Sequence, residues 1–408
     1  MPQAVVVQDA GTDLDVDVAL LGAGGAGLSV VVALDRLVRQ RRERGEPVRV
    51  PSVALVDPVV RAGTDRTWCF WDSPDGVVLD AVRPAVHRVW RRVEVTSPDG
   101  VRRVHDLSPL RYVMVRSADF YALAAEAVAA IGAVRVVADA DAVPGLRARW
   151  RLDSRPAAPV RPANTAWLQH FRGWTVRFER PVVDVDVPVL MDFSTPQPHR
   201  AVGFGYVLPL DDHRALVEYT EFSRARLSDA GYDAALRRYL ADRFGADAAW
   251  TAVVEEVEDG AIPMADAVLD RHPEPDRFRL GTAGGATRPS TGYTFAAMQR
   301  QAAAVAEALL DGRPPVPPPP YPRRHLWMDA VLLRALDRGH ARGAELLAGL
   351  FATNRPADVL RFLDGGTSLV EDVALMRSTP VLPMTVASAG DALARARRRR
   401  RGGASGEP

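Results

Sequence analysis

The sequence lacks lysine altogether, so all 52 of its basic residues are arginine. This absence excludes a lysine Schiff base, a P-loop lysine and a lysine general base. There is one cysteine, Cys69, which excludes a disulfide framework and a cysteine-based zinc site, and no other metal site is predicted. A single cysteine is typical of a reducing compartment, so we expect a cytoplasmic protein. The neighbours Trp68 and Phe70 favour a packed structural thiol, with a nucleophilic thiol as the alternative.

The chain also lacks a net charge of either sign, because 52 basic residues face 51 acidic ones. This balance argues against a protein that binds nucleic acid through bulk positive charge. Hydrophobic residues make up 47% and charged residues 25%, which excludes a wholly disordered or fibrous protein. The 408 residues are enough for two or three domains of about 150 residues each. The acidic first 17 residues are not typical of a signal peptide.

Long apolar runs are also missing, since the longest, residues 18–34, is interrupted by four glycines. A membrane-spanning helix needs about 20 apolar residues, so this run predicts something else. Residues 16–21 are typical of a buried strand, residues 28–44 of a helix that ends at 45–47, and residues 48–56 of a second strand. The loop between the first strand and the helix has the GxGxxG pattern and comprises Gly22, Ala23, Gly24, Gly25, Ala26 and Gly27.

This strand, loop, helix and strand predict a dinucleotide site. The first glycine permits the tight turn, the second lets a pyrophosphate approach the backbone, and the third lets the helix pack on the strand. The helix N-terminus adds partial positive charge. Asp57 ends the second strand and is placed to accept hydrogen bonds from a ribose, the arginine-rich helix extension explaining its distance from the loop. The alternative is a glycine-rich turn in an unrelated α/β protein.

The remaining segments predict an α/β fold with a Rossmann-like domain that binds a dinucleotide such as FAD or NAD(P), a β-sheet substrate domain and a C-terminal helical region. Apolar and polar residues alternate in residues 89–95 and 174–178, which is typical of strands with one solvent-exposed face. Residues 119–131 are typical of a helix and residues 133–138 of a strand. A second glycine-rich loop, residues 281–293, precedes a helix at 295–310. The predicted divisions begin with a loose leader at 1–13 and a discontinuous dinucleotide-binding domain at 14–75, 115–155 and 276–312. They continue with a β-rich substrate domain at 76–114 and 156–275, a helical region at 323–390, and a disordered basic tail at 391–408.

Several motifs in one order carry a family resemblance. They are RTWCFW at residues 66–71, DSRP at 153–156, LQHF at 168–171, MDF at 191–193, FGYVLP at 204–209, LVEYTEFS at 216–223, GGATRPSTGY at 284–293 and FLDG at 362–365. With these motifs the sequence resembles the flavoprotein lycopene cyclase family, in its bacterial lycopene β-cyclase form, over nearly the whole chain.

The resemblance implies an isomerase of carotenoid biosynthesis. Its substrate is lycopene or a related acyclic carotenoid, whose ψ-ends close into β-ionone rings without net oxidation or reduction. The family requires reduced FAD, with NAD(P)H as the electron source. The cofactor-binding residues implied here are the six residues of the first loop together with Asp57, Asp153, Arg155, Gly284, Gly285, Thr291 and Gly292.

Glu218 is the predicted acid. It matches the functional glutamate of the family's VExT stretch and follows the apolar residues 215–217. Strand alternation places it on one face with Leu216 and Thr220, and places the rival Glu221 on the other. The alternative for Glu218 is a solvated or salt-bridged strand residue. Cation-stabilising aromatic rings are also predicted, with core packing as the alternative for each: Trp68, Trp71 and Tyr293.

A hydrocarbon substrate implies peripheral membrane association. An apolar stripe on a predicted helix (residues 326–328, 331–333 and 336) and the five arginines at 397–401 are the candidate membrane contacts, with a packed helix and a solvated tail as alternatives. Rival functions are a flavin monooxygenase, a geranylgeranyl-type reductase and a non-catalytic carotenoid-binding protein. The Gly281-Thr282 start of the second loop argues against a monooxygenase, which usually has Gly-Asp there.

Overall fold

The computed structural model describes residues 6–7, 14–136 and 145–377. The predicted tail at 391–408, its five arginines and the end of the predicted helical region lie outside these residues. The described strands are β1 (Val6–Val7), β2 (Leu14–Leu21), β3 (Val53–Val56), β4 (Thr67–Asp72), β5 (Val86–Trp90), β6 (Arg92–Thr96), β7 (Arg102–Asp106), β8 (Arg111–Arg116), β9 (Val134–Val136), β10 (Leu146–Asp153), β11 (Ala166–Arg177), β12 (Val189–Asp192), β13 (Val202–Pro209), β14 (Arg214–Ser223), β15 (Val253–Ala265) and β16 (Arg277–Arg279). The described helices are α1 (Gly25–Glu43), α2 (Val77–Val82), α3 (Ser117–Ile131), α4 (Asp229–Phe244), α5 (Ala246–Thr251), α6 (Phe295–Leu310), α7 (Arg323–Asp337), α8 (Gly343–Thr353), α9 (Pro356–Leu363) and α10 (Leu369–Met376).

Six parallel strands form the first sheet, in the order β1-β9-β3-β2-β10-β16. Helix α1 packs against α3 and α6 on one side of it. Val18 and Leu20 of β2 are fully buried in the same cluster as Leu28 of α1, Phe120 of α3 and Phe295 of α6. Parallel strands covered in this way have nearly continuous apolar sequences, as residues 18–21 do. The predicted α/β fold with a Rossmann-like domain is confirmed.

A mixed sheet of seven strands forms the second layer, in the order β15-β11-β14-β13-β12-β6-β7. Its pairs are antiparallel except for β12 and β6. Helix α4 covers one face through Tyr232 and Leu236. Helices α7, α8 and α9 cover the other face, where Leu216 and Phe222 of β14 join their core. Each face of β14 therefore meets a different helical layer.

A small antiparallel sheet, β4-β8-β5, connects the two larger layers. Strand β8 sends Val113 and Val115 into the core of the parallel sheet and Tyr112 and Met114 into the core of the mixed sheet. The alternation of its side chains thus joins the two cores.

The structure corrects three sequence expectations. Residues 6–7 of the supposed loose leader form β1, paired with β9. The strand predicted over 48–56 is confined to Val53–Val56, since Pro51 has no N–H to donate to a ladder. The run 89–95 is not one strand: the chain leaves the small sheet after Trp90 and enters the mixed sheet at Arg92. Among the described helices, none combines the length and apolar character needed to cross a bilayer.

Candidate active site

The loop between β2 and α1 makes the tight turn that its glycines predict. Gly22 has φ of +96°, a conformation that favours glycine. A Cβ at Gly27 would lie 2.1 Å from the carbonyl oxygen of Gly22, so no larger residue fits there. Helix α1 begins at Gly25 with no acidic residue in its first turn. The loop therefore offers an uncompensated helix N-terminus of the kind that binds phosphate groups.

Asp57 lies directly after β3 and contacts this loop. Its Oδ2 accepts a hydrogen bond from the backbone N–H of Ala23 at 2.8 Å, and its Oδ1 accepts one from Val59 at 2.9 Å. Asp57 thus holds the first glycine loop in shape. Carboxylate oxygens accept more than one hydrogen bond, so its predicted bond to a ribose stays a prediction.

Asp153 and Arg155 form an ion-paired support beside the same loop. Asp153, at the end of β10, accepts hydrogen bonds from Arg155 Nε at 3.0 Å and from the guanidinium of Arg277. Burial opposes ionisation of Asp153, but these two arginines outweigh it and lower the pKa of the carboxyl. Between them in sequence, Ser154 donates to the Gly22 carbonyl oxygen at 3.1 Å. The DSRP stretch therefore positions the loop, and a direct contact of Asp153 or Arg155 with the cofactor stays a prediction.

The second glycine-rich loop lies against the first. A Cβ at Gly281 would be 2.7 Å from the Cβ of Ala26, so the two loops touch. A Cβ at Gly284 would be 2.4 Å from the carbonyl oxygen of Arg279, which explains why glycine is required there. The two loops form one continuous rim, although they lie far apart in the sequence.

Two residues that line a cavity at the second loop have a buried polar atom without a partner. Within the described residues, Thr291 Oγ1 forms no hydrogen bond and Gln169 Oε1 accepts none. Both residues line the cavity described next, as do Gly285 and Gly292, which have φ of +80° and +73°. Buried polar groups are ordinarily satisfied, so these atoms mark where a polar ligand would bind. The loops and these atoms fit a dinucleotide cofactor.

A large cavity, of about 1220 Å³, extends from the two glycine loops to the mixed sheet and the C-terminal helices. Near the loops its lining is polar and glycine-rich. Toward the mixed sheet it is apolar and aromatic, with the following residues among its lining: Trp68, Tyr112, Phe171, Leu190, Met191, Phe204, Tyr206, Glu218, Phe222, Tyr293, Leu326, Leu347, Leu350, Phe351, Val359 and Leu363. The carboxyl group of Glu218 therefore lies in an otherwise apolar and aromatic part of the cavity lining.

Glu218 is 8% exposed and faces this cavity from the middle of β14. The hydroxyl of Thr220, on the same face of the strand, donates a hydrogen bond to its Oε1. Burial raises the pKa of Glu218 to about 8, the neighbouring carboxylate of Glu258 raises it as well, and the Thr220 hydrogen bond lowers it. Glu218 is accordingly protonated at neutral pH and able to donate a proton.

Glu221 lies on the opposite face of β14, as strand alternation predicts. It is 6% exposed, accepts a hydrogen bond from the Tyr219 hydroxyl at 3.0 Å, and has His170 Nε2 4.0 Å from its carboxylate. Burial raises the pKa of Glu221, and the Tyr219 hydrogen bond lowers it. It does not line the cavity, so it has no access to a molecule bound there.

Of the three aromatic residues singled out from the sequence, two line the cavity and one does not. Trp68 and Tyr293 line the cavity. Trp68 also stacks on Phe295, with 5.4 Å between the ring centroids. Trp71 lies behind the cavity lining and makes an edge-to-face contact with Tyr293, with 4.5 Å between the ring centroids. Cys69 lies on the wall too, but burial raises the pKa of its thiol to about 12. A thiol that stays protonated agrees with a structural role.

Sequence reasoning did not single out four further groups at the site. Tyr206 is paired in register with Glu218, and its hydroxyl is 2.6 Å from that of Tyr112. Arg61 lines the cavity at the first glycine loop. Glu258, on β15, lies near Glu218 across the intervening strand β11. Tyr206 stands inside a motif that carries the family resemblance, but Arg61 is one arginine among 52, and its position follows only from the fold.

Solved structures with the same fold support this description. A geranylgeranyl bacteriochlorophyll reductase-like protein from Thermoplasma acidophilum aligns with a TM-score of 0.55 at 13% identity, covering 91% of this chain and 98% of that one. The p-nitrophenol 4-monooxygenase of Pseudomonas putida aligns with a TM-score of 0.50 at 16% identity, covering 91% and 98%. A mutant of the flavin-dependent brominase Bmp2 aligns with a TM-score of 0.51 at 14% identity, covering 88% and 97%. At these identities the likeness concerns the fold.

A search of curated protein sequences gives no significant match. The family model described as lycopene cyclase protein matches residues 17–389, which includes both glycine loops, β14 and the C-terminal helices. The match extends over nearly the whole chain and agrees with the order of the motifs found in the sequence. This chain therefore belongs to the lycopene cyclase family.

Proposed function

We propose that this enzyme closes the acyclic ψ-ends of lycopene into β-ionone rings by acid catalysis, without net oxidation or reduction. The observation that carries the proposal is Glu218: a carboxyl group that holds its proton at neutral pH, in the apolar part of the cavity. An alkene is a weak base, and only an acid shielded from water protonates it. Among the described residues, the cavity lining contributed by the mixed sheet and the C-terminal helices has no charged side chain other than Glu218, which suits a hydrocarbon substrate.

The proposed reaction conserves atoms and electrons. Glu218 donates a proton to the terminal double bond of the substrate, and a tertiary cation forms. The internal double bond attacks this cation, which forms the ring bond and moves the positive charge into the ring. Loss of a ring proton then gives the β-ionone double bond. One proton enters and one leaves per ring, so the enzyme regains its starting protonation state.

The aromatic rings on the cavity wall suit the cationic intermediate. The faces of Trp and Tyr rings attract positive charge, and the attraction is stronger in a site without water. Trp68, Tyr206 and Tyr293 line the cavity together with Glu218. We propose that they lower the energy of the cation and keep water from trapping it as an alcohol.

FAD is the proposed cofactor, in its reduced form and with NAD(P)H as electron source. Reduced FAD, when bound, supplies negative charge beside the cation. The residues proposed to hold it are those of the first glycine loop, with Asp57 beside it, and Gly285, Thr291 and Gly292 of the second. The unpartnered Thr291 Oγ1 and Gln169 Oε1 are the polar atoms available to it.

The test is anaerobic incubation with lycopene and reduced FAD in heavy water. E218Q should bind FAD as the wild type does and lose cyclisation by about 10²–10⁴-fold or more. E221Q, which alters a buried glutamate on the opposite face of the same strand, is the control and should keep its activity. E218Q converting lycopene at the wild-type rate would refute the assignment of the acid.

The same incubation identifies the product and tests the redox alternative. Once the acid has exchanged its proton with the heavy water between turnovers, each ring should retain one deuterium. The absorption spectrum distinguishes β-carotene, closed at both ends, from γ-carotene, closed at one end. Consumption of NAD(P)H in proportion to product would instead indicate an FAD-dependent oxidoreductase acting on a polyisoprenoid, either a geranylgeranyl-type reductase or a monooxygenase.

We also propose peripheral membrane association through the start of α7 and the exposed side of α10. Val331, Leu333 and Leu336 of the predicted stripe are buried in the core, but Leu326 and Trp327 are 40% and 44% exposed. Leu326 also lines the cavity, so the cavity wall reaches the surface there. On α10, which an ion pair of 2.7 Å between Arg324 and Asp372 holds against α7, three apolar residues are exposed: Leu369, Val370 and Val373. The proposed occupant is the lipid surface from which a hydrocarbon enters.

Flotation with liposomes tests this surface. The wild type should float with neutral lipid at high salt, and W327S should float less, because an interfacial Trp is lost. W250S, which changes a Trp that is 90% exposed on α5, is the matched control and should float normally. Binding only to anionic lipid at low salt would favour the five-arginine run instead.

A further inference from the structure

Two glutamates flank a glycine on one face of the mixed sheet. In the mixed sheet, Gly173 of β11 is in register with Glu218 of β14 on one side and with Glu258 of β15 on the other. Residues in register across three strands share one face of the sheet. Because Gly173 has no side chain, no side chain of β11 stands between the two acids.

The space above Gly173 is filled by its neighbours. A Cβ built there would lie 3.3 Å from Glu258 Cγ, 3.7 Å from Glu218 Cβ and 2.9 Å from a methyl group of Leu216. The glutamate chains and Leu216 therefore converge over this glycine. A side chain at position 173 would collide with the Leu216 methyl group and crowd the Glu258 side chain.

The two acids differ in their surroundings. Burial raises the pKa of Glu258 above its ordinary value, and a hydrogen bond from Thr67 Oγ1 at 2.8 Å together with the positive charges of Arg66 and Arg116 opposes that rise. Glu218 forms no ion pair with a basic side chain among the described residues. The titratable groups around Glu218 are Glu258 and the protonated side chains of Cys69, Tyr206 and Tyr293. Glu258 is thus the better placed of the two to carry negative charge.

We propose that Glu258 is a positioning residue for the acid: its carboxylate keeps Glu218 protonated between turnovers and drives the proton released at ring closure back onto Glu218. This rests on the proposed function. After Glu218 donates its proton, two carboxylates face each other over Gly173 in a site with little water. Return of one proton from the ring to Glu218 ends that repulsion. The substrate gains one proton and loses one, and Glu258 keeps its charge throughout.

The test measures the protonation of Glu218 without any need for turnover. Infrared spectra of FAD-loaded protein are recorded against pH, and the carboxyl C=O band of Glu218 is identified as the band missing in E218Q. In E258Q the midpoint of this band should move to lower pH, because the like charge is removed. E258D keeps the charge and should restore the midpoint at least in part. E255Q is the control, since exposed Glu255 pairs with Arg177, outside the site, and should leave the midpoint unchanged.

The cyclisation rate is then measured against pH in the same variants. Its alkaline limit should move with the infrared midpoint in E258Q, and E258D should recover it. An infrared midpoint that does not change in E258Q overturns the proposed coupling. A midpoint that shifts equally in E258D and E258Q overturns it as well. If the infrared midpoint moves as expected but neither the wild type nor the variants cyclise lycopene, the proposed function is overturned and the coupling of the two carboxyl groups stands.

Discussion

Replacement of Arg288 by methionine should destabilise the protein strongly. Arg288 belongs to the second glycine loop, is fully buried, and donates from Nε to Asp329 of α7 at 2.8 Å. Its Nη1 donates to the carbonyl oxygen of Phe362 in α9 at 3.0 Å. R288M removes one charge and leaves Asp329, itself 2% exposed, as a buried carboxylate whose remaining hydrogen-bond donor among the described residues is Ser290.

The size of the effect follows from the burial of the pair. Removal of one partner from a buried ion pair costs about 3–5 kcal/mol. An unfolding entropy of about 2.1 cal/mol/K per residue gives about 0.86 kcal/mol/K over the 408 residues. Division of the first figure by the second predicts that the midpoint of thermal unfolding falls by about 3.5–6 °C.

Thermal unfolding followed by circular dichroism measures this shift. R342M is the control, because Arg342 pairs with Glu345 at the surface and should matter by about 1 kcal/mol at most. The double variant R288M/D329L should recover much of the loss, since it removes the buried charge as well. An R288M midpoint within 1 °C of the wild type would refute the reasoning, and so would a double variant as unstable as R288M.

Two further predictions concern the proton and the cofactor. Because the pKa of Glu218 is raised to about 8 and the protonated form is the active one, cyclisation should persist below that pH and decline above it, with about nine-tenths of the acid protonated at pH 7 and one-tenth at pH 9. A rate that rises from pH 7 to pH 9 would contradict this. G27A should abolish flavin binding, read from the absorbance of the purified protein, because its Cβ would lie 2.1 Å from the Gly22 carbonyl oxygen. G349A adds a methyl group to a helical glycine with open space around it and should bind flavin normally; full flavin content in G27A would be the contrary result.

Local patterns in the sequence were enough to predict the elements that depend on neighbouring residues. The GxGxxG loop lies between β2 and α1 because strand, turn and helix propensities act over a few residues, and α6 has the predicted bounds, Phe295–Leu310. Alternation along β14 also predicts which face Glu218 occupies, since one strand carries the whole signal. These are the parts of the site that one segment determines.

Contacts between distant segments were not predictable in this way. Glu258 reaches the acid through the antiparallel pairing of β11 and β15, whose register shifts between Thr175 and Val176, and no local pattern specifies that shift. The run 89–95 alternates in the same way whether it belongs to one sheet or to two. Arg288 has the same chemical identity as the surface arginines, so its complete burial follows only from the packing of α7 and α9 around the second loop.

The cavity wall has a consequence for how the enzyme reaches its active form. Its lining runs from Gly24 to Leu363, so a nascent chain must be almost fully synthesised before the site can close. Contacts of such long sequence separation form late in folding. A ligand of this cavity binds only the finished fold and stabilises it by mass action. The supply of cofactor should therefore set not only the activity of the enzyme but also how much of it survives proteolysis in the cell.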